Sequence, residues 1–433
     1  MLWAKHAIGD DLVVRGARVV DPVEGLDSVC DVRVDAGAVA QLGTNLEANG
    51  HRVVDAAGLV LAPAFVDPHV HLRVPGREDE ETLVSGTAAA AAGGYCAILA
   101  MPNTEPVVDS AAVLGSLIED AQAQAEVPVG FLAAITRGQA GAELTEMAEL
   151  AEQGAAGFSD DGRPLVAAGL MRRALQYHSV TGRRLALHCE EPTLSRGGQM
   201  HEGAVSAELG FAGYPSVAES VMVGRDLAIA AYEEQPVHLL HLSAKESVEL
   251  LARARGEGVP ATGEVAPHHL CLTDEAVRTL DANLKMNPPL RSAEDRAALI
   301  EAVRDGTIEA IATDHAPHAR HEKEVPFEAA PFGVTGLETA FAALYTNLVE
   351  PGLLPLETLL ERMSSGPARI YGLERPRIAV GSPANLVLLD TAATWRVEEG
   401  GFRSRSANSW LLGETLKGRV RLTVAAGKVA FAG

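Results

Sequence analysis

Between Phe65 and Thr313 short apolar runs alternate with longer amphipathic or alanine-rich stretches, and this rhythm is the strongest constraint on the fold. The apolar runs centre on Phe65–Arg73, Tyr95–Ala100, Val129–Ala134, Ala155–Phe158, Arg184–Leu187, Val237–Leu240, Pro260–Thr262 and Glu309–Thr313. Helical patterns fall between them at 82–92, 113–125, 144–153, 167–180, 217–232, 245–255 and 294–304. Strands separated by helices pair in parallel, because a hairpin cannot return the chain in the same direction. Eight such strands predict an α/β fold of the TIM (β/α)8 type over residues 63–374, with its active site at the carboxyl ends of the strands.

The two ends of the chain differ from this middle. Leu12–Ala62 reads as short β segments with turns at Asp21-Pro22 and Asp35-Ala36-Gly37, and the end of the chain repeats the style in Asn385–Leu389 and Val420–Val424. Residues 1–62 and 375–433 are therefore expected to build one small β domain together.

The barrel reading supplies a test, since functional groups should end strands. On the first strand His69 and His71 share a face with Asp67 and Arg73, because strand side chains alternate. Asp160-Asp161 follows the fourth strand, His188 the fifth, His241 the sixth and Asp314 the eighth. Any one of these reads equally well as a hydrogen-bonded rim residue. Gathered at one mouth, these nitrogen and oxygen donors point to a binuclear divalent-metal site. His268-His269, near the seventh strand exit, reads as structural.

Composition narrows the partners. A formal charge of −22 without a basic cluster disfavours nucleic acid and anionic lipid. No apolar run is long enough to span a bilayer, and residues 1–10 lack the pattern of a signal peptide, so a cytoplasmic enzyme acting on a small molecule is expected. Cys30, Cys96, Cys189 and Cys271 form no C-x-x-C pair, which argues against thiolate zinc.

Five motifs then carry a resemblance: P-H-V-H-L-R at 68–73, M-P-N-T at 101–104, G-F-S-D-D-G at 157–162, M-N-P-P-L-R at 286–291 and A-T-D-H-A-P-H at 312–318. Together they resemble the bacterial class I dihydroorotases of the amidohydrolase superfamily. The resemblance implies a metal-dependent barrel with two Zn2+ per subunit. One is held by His69, His71 and Asp314, the other by His188 and His241, with an aspartate of the D-D-G motif bridging them. Asp161 matches the family position, although strand parity alone leaves Asp160 open. It further implies that Arg73, Asn103 and His318 grip the ring carboxylate of dihydroorotate, beside His71, and that Asn287 and the backbone at Phe332-Gly333 contact the ring. Asp314 is the implied catalytic base, taking a proton from the attacking water and passing it to the ring nitrogen.

Related cyclic amidases such as allantoinase bridge their metals with a carbamylated lysine ending strand four. This chain has no lysine between Lys5 and Lys245, so only a carboxylate is available there. The same resemblance keeps two alternatives in view: another cyclic amidase, and a non-catalytic partner of aspartate transcarbamoylase, which would be expected to have lost metal ligands. It also allows a homodimer and an association with aspartate transcarbamoylase. Residues 316–331, long for a barrel loop and rich in charge and proline, are expected to act as a mobile lid.

Overall fold

The computed structural model describes residues 1–6 and 9–433. Eight parallel strands form the middle of the chain in sequential order: Phe65–Val70, Tyr95–Ala100, Val129–Ala133, Gly157–Ser159, Leu185–Leu187, Val237–Leu239, Ala261–Val265 and Ala310–Ile311. The ring is completed by a parallel bridge between Val70 and His315, and the His71 amide donates to the His315 carbonyl at 2.8 Å. Every residue of the first three strands is buried. Burial on both faces is why the second and third read as continuous apolar runs, whereas the first alternates because its polar face carries Asp67 and His69 toward the barrel mouth.

The first helix shows how local sequence sets a boundary. Thr82 caps Leu83–Ala92 by accepting from the Ser85 amide, while the Ser85 hydroxyl accepts from the Thr82 amide. The alanines at 89–91 are buried and, with short side chains, let this helix lie close against the barrel.

The chain ends meet as predicted. Strands Leu12–Asp21, Leu26–Asp35, Ala38–Gly43, Arg52–Asp55 and Val60–Pro63 join Leu386–Arg396, Thr415–Ala425 and Lys428–Ala432 in one mixed sheet. The seam is the antiparallel pairing of Val60–Pro63 with Leu386–Leu389. Val60–Ala62 thus belongs to this sheet, and the barrel begins after Ala64. Leu12, Val14, Val32, Leu386, Leu422 and Val424 form the core of the sheet. Between these strands, residues 404–408 return to the barrel mouth, where Asn408 Oδ1 accepts from the His318 amide at 2.9 Å.

Four expectations shift. The helix expected over 167–180 is split into Ala168–Gln176 and His178–Thr181. The seventh strand runs on to Val265, and the eighth keeps only Ala310–Ile311 in register before the chain turns toward Asp314. In 316–331, Arg320–Lys323 forms a helical turn, and Lys323, expected on an open loop, is buried with Nζ donating to the carbonyls of Ala282 and Pro331 at 3.0 and 2.9 Å. Among the described residues no helix is long and apolar enough to cross a membrane.

Candidate metal centre and active site

The carboxyl ends of the strands bring His69, His71, Asp161, His188, His241 and Asp314 together, all buried. Asp161 is the hub. Its Oδ1 lies 3.6 Å from His69 Nε2, 3.5 Å from His241 Nε2 and 3.8 Å from His188 Nδ1, and its Oδ2 lies 3.5 Å from His71 Nε2. Asp314 Oδ1 is 3.4 Å from His69 Nε2 and 3.0 Å from His71 Nε2. Most of these separations are too long for hydrogen bonds. Three of them, at 3.4 and 3.5 Å, match the edge of a tetrahedron, about 3.3–3.5 Å for ligands held at about 2.0–2.1 Å from one ion.

Asp160 has a different environment. Its Oδ1 accepts from the amides of Ile135 and Thr136 at 2.8 and 3.1 Å, and its Oδ2 accepts from the Thr136 hydroxyl. Both oxygens are thus engaged in holding the third and fourth strands together, whereas Asp161 faces the histidines.

The outer nitrogens of three histidines are fixed by oxygen acceptors. His69 Nδ1 donates to Glu264 at 2.7 Å, His71 Nδ1 to Asn103 Oδ1 at 2.9 Å and His188 Nε2 to Glu190 at 2.8 Å. Each bond selects the tautomer whose inner nitrogen presents a lone pair to the centre, which is how metal-binding histidines are oriented. His69 Nε2 and Asp161 Oδ1 are buried and have no hydrogen-bond partner among the described residues. Orphaned polar atoms of this kind cost about 1–3 kcal/mol each. A cation would relieve both, so the donor set fits the divalent metals that the sequence implies.

Charge and backbone agree with this geometry. Burial alone would raise the carboxyl pKa values of Asp161 and Asp314, but the neighbouring imidazoles, His69 foremost, hold both below the usual carboxylate range. Both are ionised at neutral pH. Arg73, His241 and Asp314 all have left-handed backbone, with φ of 59°, 31° and 49°. Such strain in residues other than glycine persists where surrounding structure enforces it, and it concentrates at functional sites.

A cavity of about 250 Å³ opens on this centre and is lined by His71, Arg73, Asn103, Asn287, Asp314, Phe332 and Gly333 among others. His318 sits behind Arg73 instead of on this wall: its Nε2 lies 2.8 Å from the Phe332 carbonyl and 3.4 Å from Arg73 Nη2. Gly333 has φ of +125°, and a Cβ there would lie 2.8 Å from Ala316 Cβ and 3.1 Å from His318 Nε2, so only glycine lets this strap close. His268 and His269 are buried, and His269 Nε2 donates to the Pro288 carbonyl at 3.0 Å.

Sequence reasoning missed Glu80, Glu190 and Glu264. Glu264 is fully buried and bridges His69 to His238, whose Nε2 lies 3.0 Å from its second oxygen. A lone glutamate in the small, uncharged run Ala261-Thr262-Gly263-Glu264-Val265 was the available signal. Glu264→Gln is expected to weaken metal binding about 10–100-fold by loosening His69. Metal titration of the metal-stripped variant checks this, and unchanged affinity would leave Glu264 a purely structural residue.

The chain is 45% identical over 422 residues to a dihydroorotase of Geobacter metallireducens, a match spanning 97% of this chain and 99% of that one. The chain belongs to the dihydroorotase family. A dihydroorotase of Pelotomaculum thermopropionicum is 46% identical over 421 residues, with 97% and 98% covered. The family profile described as dihydro-orotase-like matches residues 58–247. Among solved structures, the L-hydantoinase (dihydropyrimidinase) of Arthrobacter aurescens superposes with a TM-score of 0.87 at 27% identity, covering 97% of this chain and 96% of that one. Dihydroorotases are metal-dependent cyclic amide hydrolases, in keeping with the histidine and aspartate groups gathered here.

Proposed function

We propose that this member of the dihydroorotase family catalyses the reversible cyclisation of N-carbamoyl-L-aspartate to dihydroorotate in pyrimidine biosynthesis, using two Zn2+ ions per subunit. The observation that carries the reading is the pairing of a buried His/Asp donor cluster with Arg73 on one small cavity. His69, His71 and Asp314 would hold one ion and His188 and His241 the other, with Asp161 between them. Bound there, divalent ions supply Lewis acidity that polarises the amide carbonyl and acidifies the attacking water.

The remaining steps belong to the protein's own side chains. The planar guanidinium of Arg73 offers two parallel donors to the ring carboxylate, and its charge selects an anionic substrate. Asn287 and the backbone at Phe332-Gly333 line the same cavity and are suited to the ring amide and carbonyl groups. Asp314, ionised and next to His71, accepts the water's proton in the hydrolytic direction and delivers it to the departing ring nitrogen. In the biosynthetic direction the roles reverse. Closure consumes a proton, so acid favours the ring and alkali favours opening.

The rival reading as a hydantoinase rests on likeness of fold at 27% identity, against 45% for a dihydroorotase. Arg73 favours a carboxylate-bearing substrate. The four cysteines are free, in keeping with a reducing, cytoplasmic setting. Ring opening of dihydroorotate, compared with dihydrouracil and hydantoin under the same conditions, tests the reading. A clear preference for dihydroorotate supports it, and a preference for hydantoin would overturn it.

A further inference from the structure

Beneath the cavity wall lies a buried carboxylate that the mechanism has not used. Glu80 is 1% exposed and faces three basic side chains. Its oxygens lie 3.0 Å from Arg73 Nε, 3.0 Å from His318 Nδ1 and 2.7 Å from Arg77 Nη2. Arg77 also reaches Glu322 at 2.6 Å, so its charge is met twice. Glu80, His318 and Glu322 have the spacing of a metal site, but two guanidinium groups already occupy their charge.

We propose that Glu80 is a positioning residue that sets Arg73 in place for the substrate's carboxylate, directly and through the His318 ring behind it, an inference that rests on the substrate reading above. A long arginine side chain samples many rotamers unless something holds its stem. Here Nε is engaged by Glu80 and by the Pro317 carbonyl at 3.1 Å, and Nη2 makes only a long 3.4 Å approach to His318 Nε2, on a residue that lines the cavity. Through its other oxygen Glu80 holds the His318 ring, and that ring in turn faces the Phe332 carbonyl of the strap. One carboxylate therefore fixes the guanidinium and the His318 ring behind it. Preorganisation of this kind acts on substrates that carry the matching group and not on those that lack it.

An electrostatic role for the same residue predicts the opposite sign. A negative charge behind Arg73 repels the substrate anion, so neutralising it would tighten binding if position did not matter.

The test is the ratio of kcat/KM for dihydroorotate to that for dihydrouracil, which lacks the carboxylate, measured on the metal-loaded enzyme and on Glu80→Gln, Glu80→Asp and Arg73→Met. Positioning predicts that Glu80→Gln lowers the ratio at least about tenfold, mainly through KM. Glu80→Asp should recover part of it by keeping the charge. An unchanged or raised ratio in Glu80→Gln, alongside a lowered one in Arg73→Met, would overturn the inference and leave the substrate reading standing. An unchanged ratio in Arg73→Met would overturn both. Should Glu80→Gln fail to fold, Glu80→Asp carries the comparison alone: a lowered ratio supports positioning and an unchanged one contradicts it.

Discussion

Asp314→Asn is expected to lose ring-opening activity by 10²-fold or more, about 3 kcal/mol of transition-state stabilisation, while keeping its fold. The amide preserves the shape of the side chain and one oxygen donor, but it cannot take up a proton. The effect should appear in kcat, since Asp314 is assigned to proton transfer and not to the grip on the carboxylate. The position is also strained, with φ of 49°, a conformation that asparagine tolerates well. Loss of folding is therefore not a competing explanation, and circular dichroism with metal content would verify this. A variant retaining more than about a tenth of the wild-type rate would remove Asp314 from the role of proton shuttle.

Arg73→Met is expected to act on a different axis. Metal content should be unchanged, because Arg73 contacts Glu80, Pro317 and His318 but none of the proposed ligands. Its kcat/KM for dihydroorotate should fall by roughly 10²-fold or more, the cost of leaving a carboxylate unpaired in a partly desolvated site. Hydrolysis of dihydrouracil should be poor in both proteins and nearly the same. Equal losses on the two substrates would show that Arg73 supports the site as a whole and does not read the carboxylate.

Local sequence made the barrel and the donor side chains at its mouth legible. The alternation of strands and helices located all eight barrel strands, and the rule that functional groups end strands picked out His69, His71, the pair Asp160-Asp161, His188, His241 and Asp314 without knowledge of any contact. Strand parity could not separate Asp160 from Asp161. In space they differ because the Ile135 and Thr136 amides bind Asp160, the latter a contact 24 residues distant in sequence.

The less legible part is the layer behind the ligands. Glu264 reaches His69 across 195 residues and Glu80 reaches His318 across 238. No spacing rule links such positions, and charged residues near a turn, as Glu78, Asp79, Glu80 and Glu81 are, read as a solvated surface. Two of these four, Glu80 and Glu81, are in fact buried. The same reasoning misjudged Lys323. Its charge suggested an open loop, but the carbonyls of Ala282 and Pro331 accept its donors in the interior, and burial lowers its pKa to about 7.

Two assignments carry the account: the His/Asp cluster holds the metals, and dihydroorotate is the substrate. Both can be followed at once on the purified chain by itself, with metal per subunit measured by elemental analysis and ring opening of dihydroorotate assayed as a chelated sample is titrated with Zn2+. Activity should be absent in the stripped protein and return in proportion to bound metal, reaching its maximum near two ions per subunit. Full activity in the stripped protein would contradict the metal site, and two bound ions with no turnover of dihydroorotate would contradict the substrate assigned to it.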